Sequence, residues 1–135
     1  MSKVLFVCLH NAGRSQMSQV LFERTADGHH EARSAGTEPA DRVHLNVVAV
    51  MKEQGFDLGR AVPKRLTDEL AEWADVVVTM GCGDACPVIP GKRYIDWDLR
   101  DPQNLPIDEV RSIRDDIQGR VVNLVKDLDR AGIRG

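Results

Sequence analysis

Three things are scarce in this 135-residue chain: aromatic side chains, cysteines and long apolar runs. Aromatics are 4% of residues, and none lies between Leu58 and Glu72. A site that grips a flat ring between aromatic walls therefore has little to be built from. The three cysteines, Cys8, Cys82 and Cys86, are an odd set. That excludes a disulfide framework and leaves thiols that are inert, metal-binding or redox-active. No apolar run approaches 18 residues, so no membrane span is expected. The N-terminus has no basic region followed by a long apolar core and a small-residue cleavage site, so the expected compartment is the cytoplasm. Net charge is −3, with acids and bases interspersed. Without a basic stripe to carry phosphate contacts, nucleic acid is excluded as the main partner. A small anion is not, because its binding depends on local dipoles rather than overall charge.

What is present is ordinary globular material: 42% apolar and 29% charged residues, enough for one domain spanning 1–135 with a real core. Val4–Cys8 and Val76–Met80 are continuous apolar runs that suit strands buried on both faces. His30–Ala35 and Arg93–Trp97 are two further strand candidates. Helical spacing marks Ser15–Thr25, ended by Gly28, and His44–Gln54, ended by Gly55. Thr67-Asp68-Glu69-Leu70 opens a short capped helix, and Ile107–Arg130 carries a long amphipathic one. Strands alternating with helices predict an α/β fold, three layers around a four-stranded parallel sheet. Asp98–Pro106, with two prolines, is a loop.

The chemistry concentrates at residues 4–18, VLFVCLHNAGRSQMS. In a parallel α/β sheet, ligands sit beyond the carboxyl ends of the strands, where strand order reverses. Cys8 ends the first strand and so belongs at that edge. The loop Leu9, His10, Asn11, Ala12, Gly13 can turn successive N–H groups inward, and the next helix adds its positive end. Arg14 offers a planar donor fork for a tetrahedral oxyanion. The same field favours a thiolate at Cys8, and Ser15 can donate a hydrogen bond to the sulfur. Asn11 suits a left-handed backbone, which Asn tolerates better than most residues.

The run C-L-H-N-A-G-R-S resembles the anion loop of the low-molecular-weight tyrosine phosphatase superfamily. The longer V-L-F-V-C-x-H-N-A-G-R-S-Q-M is similar to its arsenate reductase branch, as are R-S-A-G-T at 33–37, V-T-M-G-C-G-D-A-C-P at 78–87 and D-W-D-L-R-D-P at 96–102. The resemblance spans essentially the whole chain. It implies that fold, Cys8 as nucleophile, residues 9–15 as the oxyanion cradle, and the Asp of Asp101-Pro102 as the acid for the departing oxygen. From the residues alone, Asp96 and Asp98 compete for that role. Relatives continue Asp-Pro-Ala-Gly where this chain reads Asp-Pro-Gln-Asn.

Reducing arsenate takes two electrons, so further thiols must act. The resemblance implies two routes. Thioredoxin-coupled relatives use a cysteine pair in relay, here Cys82 and Cys86. Their spacing is tighter than usual, and pairing needs irregular backbone because helical residues four apart sit too far apart for a disulfide. Actinobacterial relatives instead pass the arsenic to mycothiol, with a mycoredoxin completing reduction, and then Cys8 alone is essential. No tightly bound cofactor and no metal is expected, and the working unit is expected to be a monomer. Several relatives carry Thr and Asp at a potassium site near V-P-K-R 62–65, where Lys64 stands as a substitute cation or a plain surface lysine. A phosphotyrosine phosphatase would share Cys8, Arg14 and Asp101 but wants aromatic walls and a second loop cysteine where this chain has Gly13. A zinc site from Cys82, Cys86 and a histidine is the non-enzyme alternative, with His29-His30 read as surface residues.

Overall fold

Apolar runs that cannot face water on either side become the inner strands. The computed structural model describes residues 1–81 and 91–134, with side chains through residue 130. Its elements are β1 (Lys3–Cys8), α1 (Arg14–Ala26), β2 (Glu31–Gly36), α2 (Leu45–Lys52), α3 (Asp68–Trp73), β3 (Val76–Thr79), β4 (Arg93–Asp96) and α4 (Ile107–Arg134). The strands form one parallel sheet in the order β2-β1-β3-β4. β1 and β3, built on the apolar residues 4–8 and 76–78, are central and buried along nearly their whole length.

Alternation along the strands divides the core. Val4, Phe6, Cys8, Val76 and Val78 face the larger cluster, with Met17, Leu21 and Phe22 of α1 and Val110, Ile113, Ile117, Val121 and Leu124 of α4. Leu5, Val7, Ala35 and Val77 face the smaller one, closed by Leu66, Leu70 and Trp73. Thr67 caps α3, its hydroxyl accepting the Leu70 N–H at 3.2 Å. α1 ends through left-handed backbone at Asp27 (φ 48°) and Gly28 (φ 83°).

The strand bounds differ from expectation by a residue. β2 begins at Glu31, the first residue paired with β1, and His30 before it is not a surface residue: it is buried, accepting the Ser2 N–H at Nδ1 (3.0 Å), with Nε2 2.8 Å from Asp129. β3 and β4 end one residue early, where Met80 and Trp97 still bond across to Val7 and Thr79. No helix among the described residues is long and apolar enough to cross a membrane.

With β2 on one side of β1 and β3 on the other, the chain leaves β1 in one direction and returns past it. The loop after β1 therefore opens at the carboxyl edge of the sheet where strand order reverses, and that loop begins at Cys8.

Candidate active site

The loop from Cys8 to Ser15 is held from outside by its carbonyls. Those of Cys8, Leu9, His10 and Ala12 accept main-chain N–H groups from Thr37, Glu38, Ala40 and His44, at 2.8–3.2 Å. In a planar trans peptide, C=O and the following N–H point in opposite directions. Turning these four carbonyls outward therefore turns the N–H groups of Leu9, His10, Asn11 and Gly13 toward the hollow of the loop. The Asn11 N–H lies 3.3 Å from Cys8 Sγ, which marks the sulfur as the floor of that hollow. The backing segment 37–44 carries no sequence signal for this role, since it acts through main chain alone.

The curl needs β2 to end without a side chain. A Cβ on Gly36 would lie 2.8 Å from both Asn11 N and Leu9 O. Asn11 takes φ +49° as expected, and its side chain is fully buried. Its amide orientation is forced: Oδ1 accepts the Lys64 main-chain N–H at 2.9 Å and Gln16 Nε2 at 3.1 Å, so Nδ2 donates to Ser15 Oγ at 2.6 Å. Ser15 Oγ is 2.9 Å from Cys8 Sγ. With its lone pair engaged by Asn11, the hydroxyl is free to donate to a thiolate. Two donors thus converge on one buried sulfur.

Lys64 enters this network by its main chain, not as a cation. Its side chain is exposed, and the Gly36 N–H bonds its carbonyl at 2.8 Å. His10 has a shaping role as well: Nδ1 lies 3.0 Å from the Glu38 carbonyl. Gln16, which the sequence did not single out, is buried in the first turn of α1 and fixes Asn11.

The Arg14 side chain is 7% exposed and reaches the ends of the two later strands. Nη1 donates to the Leu99 carbonyl at 3.2 Å, and Nη2 lies 3.7 Å from Asp101 Oδ2. Gly81, at φ +87°, packs so closely on the guanidinium that a Cβ there would collide with it. Of the three candidate acids Asp96, Asp98 and Asp101, Asp96 instead accepts the Thr79 hydroxyl at 2.8 Å, and among the described residues Asp101 is the ion-pair partner of Arg14. Asp101 Oδ1 accepts the Gln103 N–H at 3.0 Å, and its side chain is 40% exposed. The departure to Asp-Pro-Gln-Asn is accommodated: Asn104 takes φ +63°, a conformation Asn tolerates where others strain. His44, at the mouth beside Arg14, His10 and Asp101, has its pKa lowered chiefly by burial. Cys82 and Cys86 lie outside the described residues.

A model of the low molecular weight phosphotyrosine protein phosphatase family matches residues 3–133. The chain is 41% identical to a Halobacterium salinarum protein named "Putative arsenate reductase", across 95% of this chain and 94% of that one. It is 33% identical to the glutaredoxin arsenate reductase of Synechocystis, covering 93% and 97% of the two chains. Among solved structures, a thioredoxin-dependent arsenate reductase of Corynebacterium glutamicum superposes with a TM-score of 0.83 at 41% identity. That match covers 97% of this chain and 63% of the longer Corynebacterium chain.

Proposed function

From the premise that the chain belongs to the low molecular weight phosphotyrosine protein phosphatase family, we propose that it is an arsenate reductase with Cys8 as its nucleophile. The observation that carries the chemistry is the inward-facing amide loop around a buried sulfur that receives donors from Asn11 and Ser15. The relatives named as arsenate reductases support the substrate.

The Cys8 thiolate attacks arsenic while the loop N–H groups and Arg14 hold the oxyanion. Asp101 gives its proton to the departing oxygen, which leaves as water. A second thiol then attacks the Cys8 sulfur. The electron pair of the S–As bond stays with arsenic, which departs as arsenite, and Cys8 is left in a disulfide with the attacking thiol. In the relay route that thiol is Cys82, which directly follows the Gly81 packed on Arg14. Cys86 then takes over the disulfide for an external redoxin to reduce. In the transfer route, mycothiol attacks arsenic and frees Cys8, and a mycoredoxin thiol attacks the mycothiol sulfur to release arsenite. The enzyme works as a cytoplasmic monomer, without a bound cofactor, on electrons from an external thiol system.

The test is arsenite production from arsenate with thioredoxin, with glutathione and glutaredoxin, and with mycothiol and mycoredoxin, in wild type and in Cys82→Ser and Cys86→Ser. Activity with a redoxin that both serines abolish identifies the relay. Activity with mycothiol that both serines spare identifies transfer. No arsenite in any system, with turnover of an aryl phosphate, makes the chain a phosphatase and overturns the reading.

A further inference from the structure

The anion loop is backed along its length by main chain, whereas Asp101 stands on an exposed loop with a sparser hold. α2 supplies it. The Asn46 side chain, half-buried in the first turn of α2, donates through Nδ2 to the carbonyls of Pro102 (2.8 Å) and Leu105 (3.1 Å). Both partners are main-chain carbonyls, so the nitrogen must face them. The opposite end of the amide agrees, since Oδ1 accepts the Val47 N–H at 2.9 Å. One amide therefore spans the turn that begins at Pro102, which is closed internally by the Leu105 N–H on the Pro102 carbonyl.

Two residues earlier, the His44 N–H bonds the Ala12 carbonyl of the anion loop at 2.9 Å. The same helical turn thus grips both loops. Their direct contact is tight: a Cβ on Gly13 would lie 2.7 Å from Pro102 Cγ and 3.5 Å from Val47 Cγ2. A side chain on Gly13 would therefore have to push Pro102 off its seat. Asp101 precedes that seated proline and faces Arg14.

We propose that Asn46 is a positioning residue: it clamps the 101–105 loop onto Gly13 and so fixes the Asp101 carboxyl over the oxyanion held by Arg14. The catalytic part of this rests on Asp101 acting as the acid; the clamp itself does not.

The variant is Asn46→Asp, which keeps size and the acceptor for Val47 but removes both donors. Amide hydrogen exchange at residues 103–105 should accelerate, with residues 9–15 unchanged. In arsenite formation, kcat should fall about tenfold or more while the KM for arsenate holds, because a misplaced acid does not weaken the cradle. Asp101→Asn should cost about 100-fold. Adding Asn46→Asp to it should cost nothing further, since the residue acts only through Asp101. Asn46→Ala should behave alike, which separates lost donors from added charge. Unchanged exchange at 103–105, or losses that multiply in the double variant, would overturn the proposal. If Asp101→Asn works at the wild-type rate, the acid assignment falls and the catalytic role of the clamp with it. If the wild type forms no arsenite at all, the functional reading fails, and exchange alone still decides whether Asn46 holds the loop.

Discussion

The two loops that meet at the carboxyl edge of the sheet are built on different principles. The loop from Cys8 to Ser15 is largely buried, and main chain from 37–44 and Lys64 backs it while Asn11, Ser15 and Gln16 cross-link it from within. The loop from Asp98 to Pro106 is largely exposed and is held by distant groups: Asn46, Gly13 and the Arg14 guanidinium. A nucleophile must be desolvated and charge-stabilised before substrate arrives, which requires a rigid hollow. An acid must exchange its proton with solvent at each turnover, which requires access. On the roles proposed for Cys8 and Asp101, the difference in burial follows the difference in task.

The comparison breaks most completely at the sulfur. Cys8→Ser should abolish arsenite formation under every reductant, because a hydroxyl in the same hollow is neither ionised nor able to give up the S–As electron pair. Asp101→Asn should be milder, about 100-fold in rate, with binding of arsenate retained; a calorimetric titration of the variant checks the second half. If affinity falls with rate, the acid loop belongs to the cradle and the two loops are one unit.

Asn11→Ala sharpens the comparison from the stability side. It strips the partners of Lys64 N–H, Gln16 and Ser15, and forces a side chain less tolerant than Asn to φ +49°. Orphaned buried groups and left-handed strain together should cost about 2–4 kcal/mol, read from urea unfolding. Asn46→Asp, acting on the exposed loop, should cost about 1–2 kcal/mol. Equal losses would contradict the contrast between a buried, many-bonded loop and an exposed one clamped mainly by Asn46.

The smallest effect is a control remote from both loops. Arg111 and Arg114 of α4 hydrogen-bond Glu53 just past α2 and pull its carboxyl from 4.5 down to about 2. Native Glu53 stays ionised where the unfolded chain has taken up a proton. Its contribution is therefore present above about pH 4.5 and lost as pH falls toward 2. Glu53→Gln should flatten the acid side of the stability–pH curve in that window and leave the arsenite rate at neutral pH unchanged.

The sheet, the four helices and the anion loop were legible in the sequence because each is a local pattern: apolar runs, helical spacing, a cysteine five residues ahead of Arg-Ser. Even the positive φ of Asn11 follows from residue chemistry. The roles of Gly36, Gly81 and Gly13 were not legible, because each glycine answers a neighbour distant in sequence, respectively the curled loop, the guanidinium and Pro102. Asn46 gave no signal for the same reason: an Asn in a helical first turn reads as local capping until its two carbonyl partners, more than fifty residues away, are seen. Of the two readings of Lys64, the plain surface lysine holds: its side chain is exposed, and it serves the loop through its main chain. The proposal of Asp101 rather than Asp96 as the acid rests on the family resemblance in the sequence and on its ion pair with Arg14 in the structure.

The central claim is that one sulfur, in a hollow made for an oxyanion, does the chemistry. The most direct measurement is site-resolved alkylation of the fully reduced protein by iodoacetamide, mapping Cys8, Cys82 and Cys86 by mass, with and without arsenate or phosphate. The account predicts that Cys8 reacts fastest despite its burial and that either oxyanion protects it. A Cys8 that is slower than the other two, and equally slow with or without oxyanion, would contradict it.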